Sequence, residues 1–236
     1  MLRTKTIDVA MVSWPNHPKR IVYLTHVLDA LRKMFSAGEH ELRWYCSAET
    51  QRDPKSSWHG DELEALCEEH GITLGWRQAE ANLGANMNAA MRMGSGEFVY
   101  LQQDDWLLRY PLDISPGANL LTRHLELDMV RYSWPDGDDM RPTFVDGPEG
   151  WRKIDPKGKW PYGDDPHLRR RDFMDQWGWY REGGGHGTAS SGLMKTMARG
   201  SARIVAADRA YYEHHGFVSA VLGDVRSGAN RRYQLQ

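Results

Sequence analysis

Cysteine is scarce. Cys46 and Cys67 are the two in 236 residues, too few for a disulfide framework and wrongly spaced for a thiolate metal site, so two reduced core thiols are expected, one in a strand and one in a helix. Long apolar runs are missing as well. None reaches the ~18 residues of a membrane-spanning helix, and the opening stretch MLRTKTIDVAMVSWP alternates like a strand instead of carrying a signal peptide's apolar core. The expectation is a soluble, cytoplasmic protein without a membrane span. Neither sign of charge dominates: a formal net charge of −2 exerts no global pull on nucleic acid. Two local basic runs, Arg169-Arg170-Arg171 and Arg231-Arg232, could touch phosphates or form solvated faces. Internal repeats, low-complexity tracts and domain linkers are absent from the sequence.

What is present is a core-forming chain with 40% hydrophobic residues. Ile7 to Val12 reads as a buried strand, and after the turn at Ser13 to His17 a helix begins at Pro18 with Ile21, Leu24, Leu28, Leu31 and Phe35 on one face. Leu42, Trp44 and Cys46 alternate as a second strand. Asp61 is expected to cap a helix carrying Leu63, Leu66 and Cys67, and Ile72 to Trp76 gives a third strand. Leu83, Met87, Ala90 and Met91 share a helical face that Gly94 and Gly96 terminate, and Phe98 to Leu101 is a short apolar strand. Strand and helix alternate to about Leu108, which implies one α/β domain with a mainly parallel sheet and helices on both faces. Beyond Tyr110, Leu127 to Tyr132 and Arg203 to Ala206 read as strands. Residues 135–187, rich in Gly, Pro, Asp and Trp, read as long functional loops. Residues 1–109 are thus expected to be a nucleotide-type half and residues 110–236 a half that shapes an acceptor site. Ten tryptophans, several of them in loop-like, Gly- and Pro-rich sequence (Trp134, Trp151, Trp160, Trp177, Trp179), suggest stacking on sugar rings or bases.

The segment NLGANMNAAMRMGSGEFVYLQQDDW, Asn82 to Trp106, carries the chemistry. It delivers Asp104 and Asp105 off the carboxyl end of a hydrophobic strand, the edge where open α/β sheets bind ligands. Two adjacent carboxylates repel and raise a pKa, and a hard divalent cation bearing diphosphate oxygens relieves that repulsion. The competing reading is a solvated acidic turn.

This segment resembles the middle of the GT-A glycosyltransferases, above all the inverting nucleotide-diphosphosugar transferases of bacterial and phage type. Asn82-Leu83-Gly84 is similar to the turn that opens their helix, Gly94-Ser95-Gly96-Glu97-Phe98-Val99 to the approach, and Gln103-Asp104-Asp105 to the Asp-x-Asp motif, with Gln in its first place. Ser13-Trp14-Pro15-Asn16 resembles the nucleotide-contacting loop, and Ser47-Ala48-Glu49 the segment whose acid approaches the base. Gly200 to Val205 followed by Tyr211 to Gly216 looks like the late strand and the His that closes the metal site. Tyr162 to His167 and Gly178 to Glu182 resemble an acceptor-side segment of related bacterial and phage enzymes.

The resemblance implies a GT-A (Rossmann-like) fold with Asp105 and His214 as metal ligands. Ser13, Trp14, Pro15, Glu49, Asn82, Gly84, Gln103 and Asp104 would bind the nucleotide sugar, Gln103 and Asp104 by facing ribose or donor-sugar hydroxyls. Mn²⁺ or Mg²⁺ is the implied ion, a UDP-sugar the foremost donor, and the acceptor a hydroxyl of a saccharide or of a hydroxylated base in phage DNA. One departure matters. Where the family carries its Glu-Asp catalytic pair this chain has Gly187-Thr188-Ala189-Ser190-Ser191, so either the base, worth about 10²–10⁴-fold, comes from Asp165, Asp172, Asp175, Glu182 or His186, or the chemistry is retaining and needs no base in that place. The stereochemical outcome stays open. Two further readings are a non-catalytic carbohydrate or nucleotide binding module, which the missing pair suggests, and a sugar-phosphate nucleotidyltransferase, for which no Gly-rich triphosphate loop follows the first strand.

Overall fold

A computed structural model of the chain describes residues 3–15, 18–49, 58–77, 82–134, 141–158, 162–163, 165–183, 191–200 and 202–214. Asn16, Trp160, His186 and the Arg231-Arg232 run lie outside them. In order, the elements are β1 (Thr6–Ser13), α1 (Pro18–Met34), β2 (Phe35–Ser36), β3 (Glu41–Glu49), α2 (Gly60–Glu69), β4 (Thr73–Arg77), α3 (Leu83–Arg92) and β5 (Phe98–Gln103). There follow β6 (Trp106–Leu108), β7 (Leu112–Asp113), α4 (Ser115–Arg123), β8 (Met129–Arg131), β9 (Phe144–Asp146), β10 (Arg152–Ile154), β11 (His167–Arg170), α5 (Phe173–Trp177), α6 (Ser191–Gly200), β12 (Ile204–Ala206) and β13 (Tyr212–His214).

The main sheet runs β4-β3-β1-β5-β11-β8-β12-β10-β9. The pairs β4/β3, β3/β1, β1/β5 and β8/β12 are parallel, while β11 and β10 oppose their neighbours on both sides. Seven of the nine strands therefore point one way, the mainly parallel α/β architecture that the alternation of elements predicts. Two small sheets, β13 with β6 and β2 with β7, flank it.

Strand alternation divides the core between the two faces. Ile7, Val9 and Met11 of β1 and Phe98 and Tyr100 of β5 pack with Leu24, Leu28 and Leu31 of α1, Leu63 of α2 and Leu120 of α4. Ala10 and Val12 of β1 and Val99 and Leu101 of β5 join Met87, Ala90 and Met91 of α3, Phe173 of α5, and Leu193 and Met197 of α6. Both faces being covered, β1 and β5 are buried along nearly all their length, which is why they read as continuous apolar runs. Asn82 caps α3 by accepting the Ala85 N–H at 2.9 Å, the arrangement that satisfies an otherwise orphaned helix donor.

Several expectations need correction. The residue before α2 is His59, and Asp61 sits inside the first turn, where its charge opposes the positive end of the helix dipole. Phe35 has left α1 and pairs with Leu112 in β2/β7. Part of the expected long-loop region is regular: β9, β10, β11 and α5 all fall within it. Strand β11, His-Leu-Arg-Arg, escapes an apolar pattern because its buried cation is paid for by rings, with the Arg169 guanidinium 4.9 Å from the Phe173 centroid and 5.8 Å from Tyr180. The basic run is consumed internally: Arg169 is fully buried, Arg170 donates to the Leu121 and His124 carbonyls, and Arg171 pairs with Asp8. Most of the loop tryptophans are packed as well. Trp134 is buried against Phe144, and Trp151 and Trp177 lie partly buried on the core. Trp179 is exposed but carries Arg92 over its ring at 4.0 Å.

Candidate functional site

Within β4-β3-β1-β5 the strand order reverses direction between β1 and β5. The crevice beyond the carboxyl ends of those two strands is the topological switch point at which such sheets take ligands. Residues delivered there include Ser13, Trp14 and Pro15 from β1, Glu49 from β3, Gln103 from β5, and the turn Asp104-Asp105.

The two acids of that turn have different partners. Asp104 is buried and turned inward: its Oδ1 accepts from Arg20 Nη1 at 2.7 Å and its Oδ2 from the Ser13 hydroxyl at 3.4 Å. This departs from the expectation that it faces donor hydroxyls, and the reason is Arg20, in the first turn of α1. Burial, reinforced by the Asp105 charge, pushes the Asp104 carboxyl up to about 6 in spite of Arg20. Asp105 Oδ2 lies 3.5 Å from His214 Nε2, whereas its Oδ1 is buried without a hydrogen-bond partner. Burial favours its neutral form, but the hydrogen bond and charge of His214, then Arg20, outweigh burial and hold it below the usual carboxylate range.

His214 arrives from far along the chain through β13. That strand pairs antiparallel with β6 so that His214 faces Trp106, its ring 4.7 Å from the indole. The approach is fastened by Tyr100 Oη–H donating to Tyr212 Oη at 2.7 Å, by the Tyr211 N–H donating to the Tyr132 carbonyl at 2.8 Å, and by Ser133 Oγ–H donating to the Tyr212 carbonyl at 3.3 Å.

A second polar cluster joins the ends of β1, β3 and β4 to the start of α3. The buried Glu49 carboxylate accepts from Arg77 Nη2 at 2.8 Å and from the Asn82 N–H at 3.0 and 3.1 Å. Ser47 Oγ–H donates to Asn86 Oδ1 at 2.5 Å, and Asn86 Nδ2 donates to the Ser13 carbonyl at 3.2 Å. The Pro15 carbonyl accepts from the His59 N–H at 2.9 Å, close to the Trp58–Trp76 ring pair. Gly84 is buried in the first turn of α3. Among the described residues no three His, Cys, Asp or Glu side chains converge; Asp105 and His214 meet as a pair.

The proposed bases fare differently. Asp165 is buried with both oxygens held by Arg131 Nη2 at 2.9 Å, which makes it half of an internal ion pair. Asp172 and Asp175 lie at the wrong edge. Because β11 runs against β5, the chain leaves it beside Phe98 and Glu97, and six strand residues, roughly 20 Å, separate that edge from Asp105. Glu182 accepts from Asn88 Nδ2 at 2.8 Å, midway along α3. His186 is not among the described residues. The sequence pattern did not single out Arg20, Arg77, Asn86 or Gln102; the available signal was polar residues interrupting apolar periodicity, such as the amide at the end of FVYLQQ.

No family model matches the sequence, and no curated protein matches it. Solved structures do. Residues 1–349 of S. aureus TarS in complex with UDP-GlcNAc align with a TM-score of 0.60 and 18% identity over 88% of this chain and 58% of that one. The same TarS fragment alone aligns with a TM-score of 0.57 and 18% identity over 90% and 61%. The mannosyltransferase PcManGT from Pyrobaculum calidifontis, in complex with GDP-Man and Mn²⁺, gives 0.58 and 13% over 90% and 57%. The chain therefore spans about three fifths of the length of these proteins, and at such identities the likeness speaks for the fold. A switch-point crevice in a mainly parallel sheet, closed by a late strand and shared in overall course with these structures, is the GT-A glycosyltransferase fold.

Proposed function

We propose that the protein transfers a sugar from a nucleotide diphosphate sugar to a hydroxyl acceptor, using a divalent cation held by Asp105 and His214. The observation that carries this is the pairing of those two side chains at the switch-point crevice, with Asp105 Oδ1 buried and unpartnered. A buried carboxylate oxygen without a donor is costly, and one carboxylate with one imidazole suits Mn²⁺ or Mg²⁺ completed by diphosphate and water oxygens. Such an ion, when bound, supplies Lewis-acid neutralisation of the departing diphosphate. The protein's own residues do the rest. Arg20 adds a fixed cation beside the acids, Asp104 keeps it there, and the Glu49–Asn82–Asn86–Ser13 network holds the ends of β1 and β3 in place for the nucleotide. The complexes of the structural neighbours, with UDP-GlcNAc in one and GDP-Man and Mn²⁺ in the other, support this donor class. A saccharide acceptor is favoured over DNA, since Arg169 to Arg171 are spent inside the fold.

Thermal melting with UDP, GDP and their sugars, with and without Mn²⁺, tests the reading, because a ligand that binds the folded state raises its stability. A metal-dependent rise with at least one nucleotide is expected, lost in Asp105→Ala. No shift with any of them would sink the proposal. Three of the five expected bases are paired internally or stand at the far edge, which gives a non-catalytic nucleotide-sugar binding module a specific argument. Donor hydrolysis and transfer to a saccharide library separate the two.

A further inference from the structure

We infer that Gln102 is a positioning residue that clamps the Asp104-Asp105 turn, an inference that rests on the donor-site reading above. All six residues of β5 are buried, and Phe98 and Tyr100, which share a face with Gln102 by strand alternation, sit in the apolar core beneath α1. An aliphatic side chain would be the ordinary choice at position 102. Instead there is a fully buried primary amide whose Oε1 has no hydrogen-bond partner. An orphaned carbonyl oxygen in a core is a standing cost, so the amide nitrogen must return something.

Its two hydrogens meet two acceptors. Gln102 Nε2 donates to the Gln103 carbonyl at 2.8 Å and to the Trp106 carbonyl at 2.9 Å. Those carbonyls flank the two acids on either side. Reversing the amide would set its oxygen against both carbonyl oxygens, so the donor assignment follows from the contacts. Trp106 is also the residue opposite His214 in the β6/β13 pair and the ring on which the imidazole lies. One side chain thus fixes the turn that presents Asp105 and the strand position against which His214 is registered. Gln102 touches neither cation nor sugar in this scheme. It sets the direction of the groups that do, as hydrogen-bond partners of metal ligands do elsewhere.

The test uses the full chain and Gln102→Met, which keeps side-chain length and removes both donors. In metal-free protein, amide hydrogen exchange of residues 103–106 is expected to speed up at least about tenfold in the variant. Titration of Mn²⁺ in the presence of whichever of UDP or GDP stabilises the wild type is expected to show affinity weakened about 10–100-fold. Unchanged exchange would overturn the clamp and leave the donor site standing. Faster exchange with wild-type Mn²⁺ affinity would reduce Gln102 to a fold-supporting residue and overturn the positioning role. A wild type that takes up no Mn²⁺ with either nucleotide would bring down the donor-site reading, and this role with it. Should Gln102→Met not fold, ¹⁵N-glutamine labelling of the wild type replaces it: the Gln102 side-chain amide should be protected from exchange and broadened by Mn²⁺, and an unprotected or unbroadened amide overturns the inference.

Discussion

The acids at 104 and 105 show how much a single residue's environment can differ from its neighbour's. Both are carboxylates in one turn, yet burial lifts Asp104 while His214 draws Asp105 down, so identical chemistry in the sequence becomes an inward partner of Arg20 and a partner of His214. The same contrast governs His167. Its Nδ1–H donates to the Asp165 carbonyl at 2.7 Å, its Nε2 is buried without a partner, and burial together with the charges of Arg169 and Arg131 holds its pKa well below the ordinary value. The folded protein keeps His167 neutral while the unfolded chain protonates it below about pH 6.5. Stability from this group is therefore present above that pH and lost as pH falls below it, at up to ~1.4 kcal/mol per pH unit. His167→Asn, which retains a donor near the Nδ1 position, should melt with a shallower acid dependence between pH 7.5 and 5 by differential scanning calorimetry. An unaltered slope would assign the acid sensitivity to other groups.

Elements divide by how their burial is achieved. Strands β1 and β5 and helices α1 and α3 are legible in the sequence because apolar side chains at a period of two or of 3.6 fill their cores. Strand β11 is not, since a buried arginine under aromatic rings leaves no apolar signature. Strand β13 is three residues long and owes its place to partners distant in the chain. The Tyr100–Tyr212 hydroxyl bond is one of them, and Tyr212→Phe would leave the buried Tyr100 donor unsatisfied. We expect a loss of about 1–3 kcal/mol in urea unfolding together with weaker Mn²⁺-dependent stabilisation, because the strand that carries His214 is loosened. Equal metal responses in the two proteins would show that β13 is held adequately by β6 alone. At the other end of the crevice, Asn82→Ala removes the α3 cap and should cost ~1 kcal/mol, measured in the same way.

At the scale of the molecule, strand direction decides which residues can work together. Asp172 and Asp175 stood beside Asp165 as candidate bases in the sequence, and the reversed course of β11 sends them to the opposite edge. Asp165 stays at the crevice side but is bound to Arg131, both side chains buried. Asp165→Ala is expected to destabilise the protein by about 3–5 kcal/mol through an uncompensated buried guanidinium; a melting temperature near wild type with transfer abolished would instead restore it as a base. The alternating α/β course, the helix after Asn82 and the acid pair off the end of a buried strand are written in the local sequence, since periodicity, capping and turn residues act over a few neighbouring positions. Tertiary structure alone turns Asp104 inward to Arg20 and engages the arginine run within the fold, and it supplies the strand pairing behind the meeting of His214 with Asp105 that the family resemblance implied. These depend on sheet order and on pairing across most of the chain, which local side-chain preferences do not encode.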